Sequence, residues 1–237
     1  MILKSFGCSF IFGSELSDDI ELKQGVHYPL TSRISGADLY LAGSQLTWPS
    51  LLAKELGYTY QCYARPGVGN LQIAEQVINH AANGELAFYV IGWTWIDRFD
   101  YVTNSPNSGS DYKWKTILPT DNTDLTKIYY RDLHSEYKDK FTALITSRST
   151  IETLKQKTIP FVMTYMDELL FDSRWNITPA AADLQKYIQP YMTKFDGKNF
   201  LEWSKHNGYP IGEALHPLDQ AHRAAADYML QLGVYKK

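Results

Sequence analysis

The run from Leu86 to Trp93 is apolar without interruption over the length of a single strand. A strand of that composition has no polar face to offer to water, so it belongs inside a sheet covered on both sides. The surrounding chain supplies the covering elements. Met1 to Phe6 reads as a short strand. Trp48, Leu51, Leu52 and Leu56 then fall at helical spacing, with Thr47 able to cap, Pro49 in the first turn and Gly57 ending the run. Tyr58 to Tyr63 reads as a strand, Gly67 to Asn70 as a turn, and Leu71 to Ala82 as a helix with Leu71, Ile73, Ala74, Val77 and Ile78 on its apolar face. Ser135 to Lys157 is the longest helical stretch, followed by a buried strand over Ile159 to Tyr165. Asp183 to Thr193 and Asp219 to Leu232 read as helices, with a short strand at Phe200 to Trp203 between them. Strand and helix alternate, which predicts a flavodoxin-like three-layer α/β/α sandwich around a central parallel sheet. At 237 residues the chain fits one domain spanning 1–237. Asp18 to Gln45 reads as a long loop and Tyr101 to Asp124 as an exposed polar excursion.

Composition narrows the function. A formal net charge of -3 lacks the basic footprint that binding a phosphate backbone requires, so nucleic acid is not an expected partner. No apolar stretch approaches the roughly 20 residues of a membrane span, and the first residues carry no secretory leader pattern. Neither a membrane partner nor export is expected, and the cytoplasm is the expected location. Cys8 and Cys62 are too few for a disulfide framework and have no metal-ligand spacing. No metal or organic cofactor is implied.

In open α/β sheets ligands bind beyond the carboxyl ends of the strands. Ser9, Gly67 to Gly69, Thr94 and Asp167 all lie just past strand ends, gathering the candidates on one edge. A serine becomes a nucleophile only when a base removes its proton, and the base works best when a carboxylate fixes its tautomer. Glu213-Ala-Leu-His216-Pro217 offers a carboxylate and an imidazole within one loop, so Ser9, His216 and Glu213 are the expected triad. Asp219 and His222 repeat the spacing but lie inside the last helix, where Asp219 suits the first turn. Arg98 is able to anchor a substrate carboxylate or phosphate, or to pair with Asp97 or Asp100. Trp93, Trp95, Trp114 and the 17 tyrosines either line a sugar-binding cleft or fill the core. His27, His80, His134 and His206 have no ligand spacing and are expected on loops or solvated helix faces.

These residues resemble the SGNH (GDSL-like) hydrolases. Gly7-Cys8-Ser9-Phe10 is similar to the family's first block, with Cys8 in place of its Asp, and Trp48 to Gly57 to the helix that follows. Ala64-Arg65-Pro66-Gly67-Val68-Gly69-Asn70 is similar to the second block, Ile91-Gly92-Trp93-Thr94-Trp95 to the third, and Glu213 to Pro217 to the Asp-x-x-His-Pro block. The resemblance implies an esterase cleaving a small acyl or O-acetyl group, with carbohydrate as one carrier. It implies an oxyanion site from the N–H groups of Ser9 and Gly69 with Thr94 in place of the family's Asn, while Asn70, Trp93, Trp95 and Arg98 are the expected substrate contacts. The same fold also accommodates a catalytically weak glycan- or protein-binding protein, or an acyltransferase using the same triad.

Overall fold

The computed structural model describes residues 1–19, 43–104 and 112–236, so most of the loop expected from Asp18 to Gln45 lies outside the described residues. Strands β1 (Ile2–Gly7), β2 (Thr59–Cys62), β3 (Ala87–Trp93) and β6 (Phe161–Tyr165) form a parallel sheet in the order β2-β1-β3-β6. Its register aligns Ile2 with both Thr59 and Ala87, and Tyr89 with Phe161. Every residue of β3 is buried, as its composition requires, while Leu86 stays outside the strand and exposed.

Ser9–Phe12 makes the one-turn helix α1, Trp48–Glu55 helix α2, and Asn70–Ala82 helix α3. Asp124–Ile128 is α4, Glu136–Gln156 α5, Pro179–Ile188 α6, Phe200–His206 α7 and Asp219–Gln231 α8. Helix α2 packs against α8, and α3 against α5, which also carries α6. These two groups flank the sheet, giving three layers with helices on both faces of a central parallel sheet. Their shared core includes Leu3, Phe6, Trp48, Leu52, Val77, Phe88, Ile91, Leu144 and Met163. Each such side chain contributes about 1.5–3 kcal/mol on burial.

Three sequence expectations shift. Phe200 to Trp203 is helical: Asn199 accepts a hydrogen bond from the Glu202 N–H at 2.9 Å and caps α7, whose Phe200, Leu201 and Trp203 face the core. The helix expected over Asp183 to Thr193 begins earlier, at the Thr178 cap and Pro179, and ends at Ile188 because Pro190 has no N–H to continue it. The polar excursion contains an antiparallel pair, β4 (Phe99–Asn104) with β5 (Tyr112–Ile117). Cys8 and Cys62 are buried free thiols. Among the described residues no helix is long and apolar enough to cross a membrane.

Candidate active site

The end of β1 delivers Ser9 to the sheet edge by a close approach that only glycine permits. A Cβ on Gly7 would lie 2.7 Å from Ile11 Cγ1 and 2.9 Å from the Gly92 carbonyl oxygen, and one on Gly92 would lie 2.5 Å from Ile11 Cγ1. Ile11 therefore rests on two bare backbones in neighbouring strands, seating α1 directly over the carboxyl ends of β1 and β3. Ser9 is the first residue of that helix, where its N–H has no intrahelical acceptor.

His216 arrives from the opposite end of the chain on a pinched loop. Ile211 bridges Pro217, the Gly212 N–H donates to the His216 carbonyl at 2.8 Å, and the Leu215 N–H donates to the Gly212 carbonyl at 3.1 Å. Leu215 takes a left-handed conformation, φ 66°, to complete the turn. The imidazole then stands 4.9 Å from the Phe10 ring, centroid to centroid, and its Nε2 lies 2.8 Å from Ser9 Oγ.

The carboxylate on the other ring nitrogen is Glu15, not the expected Glu213. Glu15 Oε2 lies 2.6 Å from His216 Nδ1. Glu213, three residues before His216, is exposed, and the loop instead offers the Ala214 N–H, which donates to both Glu15 oxygens at 3.1 and 3.2 Å. Burial pushes the Glu15 carboxyl up, but the Ala214 N–H and the hydrogen bond and charge of His216 outweigh it and hold the group below its ordinary value. An ionised carboxylate has no proton to give, so Nδ1 carries the hydrogen and Nε2 is left to accept from Ser9.

Glu15 reaches this position from the turn after α1, in a left-handed conformation with φ 67°. The turn is tied down by the Glu15 N–H donating to Asp19 at 2.8 Å and by the Ser17 N–H and hydroxyl donating to Asp219. Gly212 leaves room for the carboxylate, since a Cβ there would lie 2.7 Å from it. No spacing rule flags Glu15 in the sequence. Its one signal is the acidic turn Glu15-Leu-Ser-Asp18-Asp19 directly after the serine helix.

Two of the three expected oxyanion donors are engaged or enclosed by the protein itself. The Gly69 N–H donates to Asp100 Oδ1 at 2.9 Å; Asp100 also accepts from the Gln72 N–H at 3.0 Å and Thr116 Oγ1 at 2.7 Å, capping α3 from β4. Thr94 Oγ1 is buried and has no hydrogen-bond partner. The Thr94 backbone is held by Asn70, whose Oδ1 accepts the Thr94 N–H at 2.8 Å and whose Nδ2 donates to its carbonyl at 3.2 Å. Asn70 thus ties the start of α3 to the turn after β3. The third expected donor, the Ser9 N–H, stands at the start of its helix, where no intrahelical acceptor reaches it.

The remaining candidates separate cleanly. Trp93 is a core residue whose Nε1 donates to Met163 Sδ at 3.4 Å. Trp95 is partly exposed, 5.4 Å from Phe10, and carries the Arg98 guanidinium on its face at 5.0 Å. Asp167 accepts from the Ile96 and Leu169 N–H groups, both at 3.0 Å, fixing the turn after β6. His222 is buried, accepts the Trp48 N–H at 3.0 Å through Nδ1, and burial pushes it down to about 3, so it serves the core. Contrary to a solvated position, His80 packs against Tyr63 with ring centroids 3.9 Å apart, and burial with the Lys4 charge lowers it to about 4. His27 lies outside the described residues. Among the described residues no three His, Cys, Asp or Glu side chains group as a metal site.

Neither a family model nor a curated protein matches the chain by sequence. Solved structures do match. A putative lipolytic protein of the G-D-S-L family from Desulfitobacterium hafniense is 9% identical, covers 97% of this chain and 98% of its own, and superposes with a TM-score of 0.50. TesA is 12% identical over 98% of this chain and 97% of its own, also at 0.50. An active-site mutant of a family two carbohydrate esterase from Clostridium thermocellum is 11% identical over 99% of this chain and 63% of its own, at 0.50. At these identities the likeness establishes the architecture, that of the SGNH hydrolases.

Proposed function

We propose that the chain is a serine esterase in which Ser9 is the nucleophile, His216 the general base and acid, and Glu15 the orienting carboxylate. The observation that carries this reading is the unbroken relay from Ser9 Oγ to His216 Nε2 at 2.8 Å and from His216 Nδ1 to Glu15 at 2.6 Å. In this mechanism His216 takes the hydroxyl proton as Ser9 Oγ adds to the ester carbonyl. The imidazolium passes that proton to the departing alcohol, leaving an acyl group on Ser9. Water then attacks through the same base, the acid is released, and Ser9 regains its proton. Glu15 balances the imidazolium charge at both steps, which its lowered pKa suits.

The oxyanion is assigned to the Ser9 N–H. Removing one donor from such a site costs about 2.7–4 kcal/mol of transition-state stabilisation. With Gly69 committed to Asp100 and the Thr94 hydroxyl sealed, turnover is expected to be slow for this fold. The substrate class is a small acyl or O-acetyl ester, with a carbohydrate carrier compatible with the fold. The committed donors also favour a second reading, a binding protein of SGNH fold that retains the relay without efficient turnover.

One experiment separates the two: hydrolysis of p-nitrophenyl acetate and butyrate by wild type, Ser9→Ala and His216→Ala, with labelling by a fluorophosphonate probe. Turnover and labelling in wild type, absent from both variants, support the esterase. A wild type that neither turns over nor labels leaves the binding protein.

A further inference from the structure

We propose that Arg98 is a specificity-determining residue that selects esters bearing a carboxylate close to the scissile bond, an inference that rests on the esterase reading of Ser9. Neither acidic neighbour forms an ion pair with it, although its charge is felt by the half-buried Asp97 carboxyl. Asp100 is occupied by the Gly69 and Gln72 N–H groups and Thr116, and Asp97 Oδ1 is buried without a hydrogen bond. Arg98 forms no ion pair with any described carboxylate. What it does have is an anchor and a platform. One nitrogen, Nη1, donates to the Val68 carbonyl at 2.9 Å, and the guanidinium lies on the Trp95 ring at 5.0 Å.

The platform leads to the reacting groups. Trp95 packs edge-on against Phe10 at 5.4 Å, and Phe10 lies 4.9 Å from the His216 ring and next to Ser9 in the chain. Val68, the anchor, belongs to the loop between β2 and α3 at the same sheet edge. The guanidinium is therefore a partly exposed cation with no ion pair among the described residues, set over an aromatic wall that continues to the histidine. A guanidinium has five N–H donors in a planar fork, and a carboxylate matches that fork with two parallel bonds. Holding the fork in advance reduces the ordering cost of binding.

The test compares kcat/KM for matched ester pairs, each value divided by its spontaneous hydrolysis rate. One pair carries the anion on the acyl side, the p-nitrophenyl monoester of adipic acid against p-nitrophenyl hexanoate. The other carries it on the alcohol side, meta-acetoxybenzoate against phenyl acetate. Wild type is expected to prefer the anionic member of one pair, which identifies the side that faces Arg98. Arg98→Gln is expected to cut that preference about ten- to a hundredfold, the range for hydrogen bonds to charged groups, and Arg98→Lys to keep part of it. Added salt should lower the wild-type preference and leave Arg98→Gln unchanged. Equal treatment of both members of both pairs overturns the inference while the esterase reading stands, as does an Arg98→Gln loss shared equally by anionic and neutral esters. Failure of every ester to turn over removes the esterase reading and this inference with it.

Discussion

Replacing Glu15 by Gln isolates the role of the carboxylate with almost no change in shape. The Ala214 N–H, which donates to both Glu15 oxygens, requires an acceptor. The amide oxygen of the new side chain satisfies it, which turns the amide NH2 toward His216 Nδ1, where Oε2 sat at 2.6 Å. A donor facing Nδ1 forces the ring proton onto Nε2, and Nε2 then donates to Ser9 Oγ and cannot accept from it. The same tautomer reversal in a Ser-His-Asp triad lowers kcat roughly 10⁴-fold, or about 5 kcal/mol in barrier. Glu15→Gln is expected to fall by that order in p-nitrophenyl acetate hydrolysis and in the rate of fluorophosphonate labelling, with a near-native far-ultraviolet spectrum. Glu213→Gln, which changes an exposed side chain, is expected to stay near wild type. Activity of Glu15→Gln within tenfold of wild type, or an equal loss in Glu213→Gln, would refute the assignment.

Gly212→Ala places a methyl group 2.7 Å from the Glu15 carboxyl, which must withdraw from His216; kcat should drop about ten- to a hundredfold, a loss typical of a misplaced catalytic group, and an unchanged kcat would mean the carboxylate has room to spare. The pH dependence of stability follows from the lowered Glu15 pKa: its contribution is fully present above the ordinary value of 4.5 and is lost as pH falls through the folded value. The gap in melting temperature between wild type and Glu15→Gln should therefore be constant near neutrality and narrow below pH 4.5, and a gap unchanged in strong acid contradicts the linkage. His222→Leu leaves the buried Trp48 N–H without its acceptor and should cost about 1–3 kcal/mol in urea unfolding. Its activity per folded molecule should persist, in contrast to His216→Ala, and an inactive but folded His222→Leu would show that the wrong histidine had been named.

The fold was legible because its signals are local and repeated. The apolar run ending at Trp93, the Thr47 cap before Pro49 and the glycine at position 57 each act within one element, and the structure realises all of them. Ser9 and His216 were legible because strand ends and the loop before the last helix fix where they emerge, and they meet at 2.8 Å. The carboxylate that bonds His216 was not legible. Spacing within a loop made Glu213 the nearest carboxylate to His216, but the left-handed turn at Leu215 brings the Ala214 N–H toward Glu15 and leaves Glu213 exposed. The surroundings of Gly69 and Thr94 were not legible for a related reason. A backbone N–H carries no sequence label, and whether Asp100, thirty-one positions away, claims the one on Gly69 depends on how β4 folds back. The helix at Phe200 was missed because an apolar tetrapeptide fits either period, and the Asn199 cap decided it.

Taking Glu15 as the acid, as proposed, changes how the site is assembled. With Glu213 the base and its orienting group would share one loop, and docking that loop on Ser9 would need a single contact. With Glu15 the nucleophile and the acid share the segment from Ser9 through Asp19, and His216 alone is brought in from the far end of the chain. Both sides of the junction hold a non-glycine residue at left-handed φ, Glu15 at 67° and Leu215 at 66°, each costing about 1–2 kcal/mol. Strain of that kind persists only where neighbouring contacts over-determine it. Here those contacts are the two hydrogen bonds of His216, the Ala214 N–H on Glu15, and the clamp of Ser17 on Asp219, three residues beyond the histidine. The relay and the tertiary junction are the same set of bonds. A perturbation that loosens the clamp, such as Asp219→Ala, thus acts on Ser9 and Glu15 together, and its cost in kcat should exceed what the loss of two exposed hydrogen bonds takes from stability.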